Sequence, residues 1–224
     1  MGSGSRSTLP GYSPTVPGRP GSTWPVPACT PSTCGSVPGT TSRSTSWTTP
    51  GATPVKIMVT GHRPPRIGGY ATPNPTEQWV RFTLRDLLEK LKSRRPDVSA
   101  ITGMAQGADM IFAEECIRLG IPFTAAVPFR GQENRWPDDT QNKYHRLLKR
   151  ASEVVYVDED PKYAADNYGA KLYLRNKWMV DRAGLVIAVW DGSEGGTANC
   201  VKEAVKRELK LVGVDPKRRK VGPI

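Results

Sequence analysis

Between residues 103 and 109 the chain reads GMAQGAD, and between 191 and 197 it reads DGSEGGT. Each stretch places glycines after a short apolar run and before a helical pattern. Glycine there lets the backbone approach a ligand closely and take positive φ. The helix that follows offers unpaired N–H groups and the positive end of its dipole. Together these features suit an anion, above all a phosphate. Thr197 adds a hydroxyl to the second stretch, beside Asp191, Gly192, Gly195 and Gly196. Two other loops follow apolar runs in the same way: Thr60-Gly61-His62-Arg63-Pro64 and Pro128-Phe129-Arg130-Gly131-Gln132. Arg63 and Arg175 are candidates for charge-assisted hydrogen bonds to the same anion.

Each feature also has a plain structural reading. Gly103 and Gly107 fit the tight packing of a strand-to-helix turn, and a lone loop histidine such as His62 is usually only solvated. Their conjunction on one predicted sheet edge is what points to a phosphate-containing ligand. The sequence contains neither G-x-G-x-x-G after its first strand nor G-x-x-x-x-G-K-[ST], which argues against an ordinary NAD-dependent dehydrogenase and a P-loop NTPase. It has no G-x-S-x-G either. Cys29 and Cys34 form an isolated C-x4-C with no second pair, so no metal and no cofactor is expected. Cys116 and Cys200 read as buried helix positions.

The elements that would position these loops alternate in type. VKIMVT, SAIT, IPFTAAV, EVVYV and LVIAVW are short apolar runs of the kind buried on both faces of a parallel sheet. Helical spacing covers Glu77 to Arg94, Met110 to Leu119, Thr140 to Arg150, Lys162 to Arg182 (as one or two helices) and Thr197 to Leu209. Gly120 is a candidate cap. KLVGV reads as a sixth, edge strand, and the remaining DPKRRKVGPI as a solvated basic tail over 214–224. The expectation is an α/β, Rossmann-like, doubly wound and mostly parallel sheet of about five to six strands with helices on both faces. Ligands bind such sheets beyond the carboxyl ends of the strands.

The chain has 224 residues and a formal net charge of +11, which favours anionic partners without choosing among them. Residues 1–53 are rich in Ser, Thr, Pro and Gly and contain no acidic residue, a composition that reads as disordered. The folded unit is expected over 54–213. No apolar run is long enough for a membrane span and no signal core is visible, so the expectation is a reduced, cytoplasmic protein without membrane contact.

VTGHRPPRIGG, ITGMAQGADMIFAE, VPFRGQENRW, YLRNKWMVDRAGLVIAVWDG and GGTANCVKEA together resemble the YpsA-like branch of the SLOG superfamily. That superfamily also holds the DNA-processing protein DprA and the LOG ("lonely guy") phosphoribohydrolases. The resemblance implies a Rossmann-like fold and a pocket for nucleotide-derived ligands, including ADP-ribose-like and NAD-derived molecules. It places Gly61, His62 and Arg63, then Gly103, Gln106, Gly107 and Asp109, in that pocket. Pro128 and Phe129 would form a wall, with Phe129 against a base. Arg175 and Asn176 would approach from the long helix, and Asp191, Gly192, Gly195, Gly196 and Thr197 would close the phosphate side. His62 and Asp109 would orient the sugar or base.

The LOG branch is known for R-x-x-x-M and G-G-x-G-T-x-x-E. Arg175 to Met179 has the first spacing, but the glutamate position of the second falls on Cys200. A thiol cannot do that carboxylate's work, and Glu194 and Glu203 lie nearby without matching. Sensing or sequestering a nucleotide-derived small molecule is therefore the favoured function. Phosphoribohydrolase activity and single-stranded DNA binding are the alternatives. A homodimer is compatible with the class, and nucleic acid is the less favoured partner.

Overall fold

A computed structural model describes residues 55–158 and 167–224. The expected extension over 1–53, Cys29 and Cys34, and the first residues of the predicted 162–182 helix lie outside the described residues.

The strands β1 (Lys56–Gly61), β2 (Ser99–Thr102), β3 (Phe123–Val127), β4 (Glu153–Tyr156), β5 (Leu185–Val189), β6 (Lys210–Asp215) and β7 (Lys220–Pro223) form one sheet in the order β4-β3-β2-β1-β5-β6-β7. All neighbours pair in parallel except β6 and β7. From β1 the chain works outward to β4, then returns to the other side of β1 with β5. The switch point is the β1–β5 seam, where Thr60 stands opposite Ala188 and Gly61 opposite Val189.

The helices are α1 (Pro75–Arg94), α2 (Ala108–Leu119), α3 (Asp138–Leu148), α4 (Tyr168–Val180) and α5 (Gly196–Lys206). Strand alternation divides the core. Ile57 and Val59 face a cluster with Leu84 and Leu88 of α1, Phe112 of α2 and Tyr144 of α3. Met58 faces the opposite cluster, with Met179 of α4 and Val201 and Ala204 of α5. Helices therefore cover both faces, as the apolar runs predict.

Local signals set the helix ends. The Asn74 side chain accepts from the N–H groups of Thr76 and Glu77, and Pro75 supplies a preset φ, so α1 begins two residues before the predicted start. Gly120 closes α2 in the left-handed region at φ +61.

Two expectations change at the C-terminus. The sheet has seven strands, and β6 is interior to it. The segment read as a solvated tail contains β7, which pairs antiparallel with β6 through Val214–Val221 and Asp215–Lys220. The cause is local: the Asp215 carboxylate accepts from the N–H groups of Lys217 and Arg218 and turns the chain back. The basic run is the exposed hairpin turn. Among the described residues, no helix is long and apolar enough to cross a membrane.

Candidate functional site

The site grows from the switch point. His62 directly follows β1. Its N–H donates to the Val189 carbonyl at 3.0 Å, and its own carbonyl accepts from Ala108 N–H at 3.1 Å. One peptide thus ties β1, β5 and the start of α2 together. Gly61 makes this approach possible, because a Cβ there would stand 2.5 Å from the Ala108 Cβ and 2.8 Å from that of Val189.

The His62 ring is 5% exposed, and its Nε2 lies 2.8 Å from Asp191 Oδ1. The same oxygen accepts from the Ser193 N–H at 3.0 Å and from the Ser193 hydroxyl. Burial alone would raise the Asp191 pKa, but these hydrogen bonds outweigh it and hold the carboxyl far below the usual carboxylate range. Asp191 therefore stays charged and shapes the loop between β5 and α5.

Beside this seam lies a cleft of about 320 Å³. Gly61, His62 and Arg63 line one side, with Ala105 and Asp109 below, and Leu172, Arg175 and Asn176 come from α4. Ser193, Glu194, Gly195, Gly196 and Thr197 close the remaining side. The predicted residues absent from this wall are Gly103, Gln106, Gly107, Pro128, Phe129, Asp191 and Gly192.

The glycines fall into two groups. A Cβ on Gly103 would strike the Arg175 guanidinium and come within 2.8 Å of Asp109 Oδ2. That turn is packed by the Arg175 guanidinium, in line with the tight-packing reading of Gly103. Gly107 has φ +96, and a Cβ there would lie 2.5 Å from the His62 carbonyl oxygen. Gly195 has φ +139, but a Cβ on it or on Gly196 would meet nothing within 4 Å. No side chain caps α5, and its first turn contains no acidic residue.

Arg175 and Asp109 are the buried pair of the cleft floor. Arg175 donates to the Gly103 carbonyl, and its Nη1 is 3.6 Å from Asp109 Oδ2. That carboxylate also accepts from Ala105 N–H at 3.2 Å. Burial pushes the Asp109 carboxyl up, and the charge of Arg175 opposes the shift. Burial likewise works against the Arg175 charge, with Asp109 opposing; an arginine nonetheless keeps its proton. The Arg175 Nε is buried and has no hydrogen-bond partner. Asp109 thus holds Arg175 in place while also lining the cleft.

Several lining residues escaped the sequence reading. Arg66 ends the 3-10 turn Pro64–Arg66 and reaches across the cleft to the Ser193 hydroxyl and the Glu194 carbonyl. The Pro-Pro pair before it was the available signal, since it presets the turn that aims Arg66 back. Lys171 is also buried, 3.2 Å from Asp158 Oδ2, where helical spacing alone says nothing of burial.

Other predicted residues mark neighbouring hollows. Phe129 and Tyr168 line a cavity of about 280 Å³, with ring centroids 5.6 Å apart edge to face. Gln106 and Gly107 border a smaller hollow of about 120 Å³ beside Glu77 and Met110. Cys200 lies on the buried face of α5, 1% exposed, and burial pushes its thiol up to about 11 against a hydrogen bond with Thr60. Of the two nearby glutamates, Glu194 lines the cleft and Glu203 does not. Among the described residues, no cluster of three or more His, Cys, Asp or Glu could hold a metal ion.

A mostly parallel, doubly covered sheet with a polar cleft at its switch point defines a Rossmann-like α/β protein. The chain belongs to the YspA SLOG family, whose YpsA profile matches residues 57–212. It is 33% identical over 148 residues to the uncharacterized SPbeta prophage-derived protein YoqJ of Bacillus subtilis, covering 61% of this chain and 86% of that one. A UPF0398 protein of Bacillus thuringiensis is 23% identical over 160 residues, covering 69% and 84%.

In fold, the chain is similar to DNA processing protein A of Streptococcus pneumoniae, with TM-score 0.51 and 14% identity, covering 72% of this chain and 50% of that one. The Helicobacter pylori protein of the same name gives TM-score 0.51 and 17% identity, covering 73% and 66%. The chain thus spans about half of the first and about two thirds of the second.

Proposed function

We propose that the cleft binds a nucleotide-derived, phosphate-containing ligand, and that the protein acts as its sensor or sequestering partner. The observation that carries this reading is the open start of α5. Gly195 and Gly196 leave backbone N–H groups uncovered by any Cβ, with no capping side chain, on the wall of a cleft that also presents Arg63, Arg66 and Arg175. Helix dipole, free N–H groups and guanidinium groups favour the same charge. The unpartnered Arg175 Nε adds a buried donor beside the cleft.

Binding without hydrolysis is favoured because the position of the LOG carboxylate is held by a buried thiol. Of the two glutamates near that position, Glu194 lines the cleft and is the one N-glycosidic hydrolysis would have to recruit. The Helicobacter pylori neighbour binds single-stranded DNA, and the net charge is compatible with such a partner.

The test is a thermal-shift series on the full chain with AMP, ADP-ribose, NAD and a short oligonucleotide, each repeated with Gly196→Glu. A ligand that binds the folded state raises Tm by mass action. A rise with a nucleotide that disappears in Gly196→Glu, without release of free base, is the expected result. Release of adenine from AMP moves the reading to the phosphoribohydrolase. A salt-sensitive shift with DNA alone, untouched by Gly196→Glu, replaces the reading with nucleic-acid binding.

A further inference from the structure

A second hollow lies behind the turn that borders the cleft. Pro65 and Arg66 line the cleft, whereas Pro64 and Ile67 line this hollow, so one short stretch of chain stands between the two. The hollow measures about 120 Å³. A single water needs only about 10–15 Å³ of such space, and a cavity of about 150 Å³ takes a benzene ring. There is room here for a molecule of roughly five heavy atoms.

The lining is of two kinds. Ile67, Met110 and Ile111 are buried and apolar. Glu77 and Gln106 are polar, yet only 8% and 9% exposed. The Glu77 Oε1 accepts from Arg81 at 2.9 Å, and its Oε2 is buried without a hydrogen-bond partner. The Gln106 amide makes no hydrogen bond among the described residues. Glu77 is the third residue of α1, where the helix dipole favours a carboxylate. The dipole suits its charge and Arg81 satisfies one oxygen, but neither brings a donor to the other. Buried polar groups without partners cost free energy, and a ligand that supplies the missing donor recovers it. Lys143 also lines the hollow, but its Nζ is held 2.9 Å from Glu114 Oε1. An anion would lie against Glu77. What the hollow offers is acceptors beside an apolar wall.

We infer that this hollow is a second binding site, built for a short aliphatic primary amine. The ammonium group donates to the Glu77 carboxylate and the Gln106 carbonyl oxygen, and a branched four-carbon body packs on Ile67, Met110 and Ile111. The site is independent of what the cleft binds.

The test is an NMR titration of the isotope-labelled full chain with isobutylamine hydrochloride, isobutanol and sodium isovalerate at matched ionic strength. The three probes share an isobutyl body and differ in the polar end. Saturable shifts at Gln106, Met110 and Thr140 are expected with the amine, about tenfold weaker binding with the alcohol, and none with the carboxylate. Glu77→Gln keeps the shape and removes the charge. It should weaken the amine about tenfold and leave the alcohol unchanged. Should Glu77→Gln unfold through loss of the Arg81 pair, Gln106→Ala makes the second comparison, with a several-fold loss of amine binding expected. Equal binding of the three probes overturns the amine reading, and so does amine binding that ignores the substitutions. Shifts confined to residues 193–197, or none that saturate, overturn the site and leave the nucleotide reading of the cleft standing.

Discussion

Two helices start at the same edge of the sheet behind the same kind of glycine, and they end up with opposite surroundings. At the start of α2, Gly107 packs against the His62 carbonyl, Ala108 N–H donates to that carbonyl, and the Asp109 carboxylate stands in the first turn. The positive end of that helix is occupied by the protein. At the start of α5, Gly195 and Gly196 face open space and the first turn has no acid. Glycine before a helix therefore marks a place without a side chain, packed tightly at α2 and left open at α5. The neighbours decide which: in α2 another strand end packs there, and in α5 the backbone stands on the cleft wall.

The sharpest way to break this contrast is to empty the filled side. Asp109→Ala would leave the Arg175 guanidinium buried beside the Gly103 carbonyl without its counter-charge. Losing one partner of a buried pair costs about 3–5 kcal/mol. Urea denaturation should show that loss of stability, and a variant as stable as the wild type would mean that water or another group already compensates Arg175. Double replacement with Asp109→Leu and Arg175→Met should recover most of the loss, because both charges leave together.

The next effect separates the glycines themselves. Gly107→Ala forces a Cβ to within 2.5 Å of a backbone oxygen at φ +96, and about 2 kcal/mol or more of stability should be lost. Gly196→Ala adds a methyl group to open space, and its stability should stay within about 0.5 kcal/mol of wild type or rise with the better helix former. Matching losses in both variants, read by chemical denaturation, would erase the distinction between a packing glycine and a site glycine.

That distinction shows where sequence reasoning reaches its limit. Alternating apolar runs announced β1 to β5, and Pro, Asn and Gly announced the helix ends. The family and the sheet edge that bears the cleft were legible for the same reason: local chemistry sets local backbone. The role of Gly103 was not, because the group that fills it, Arg175, is 72 residues away along the chain. Arg66 was missed because a two-residue proline signal gives the direction of a turn without its target. Strand β7 was missed because a run of basic residues has the same composition in a hairpin turn as in a tail. Each miss concerns which distant residue arrives at a position, a matter of tertiary packing.

The smallest effect concerns the loop that holds the open side open. Asp191 accepts from the Ser193 N–H and hydroxyl and lies against His62, and its carboxyl is held below the usual range in the folded protein. A depressed folded pKa adds stability above the unfolded value, about 3.9, and that contribution is lost as pH falls toward the folded value. Asp191→Asn removes the titration. Wild type should therefore exceed the variant by about 1–2 kcal/mol above pH ~5, a size expected for hydrogen bonds to a charged group. The gap should close as the pH is lowered below ~4. Denaturation curves of both proteins across that range give the answer directly. A gap that stays constant with pH would show that Asp191 holds the loop by shape alone, leaving the α5 start open without help from its charge.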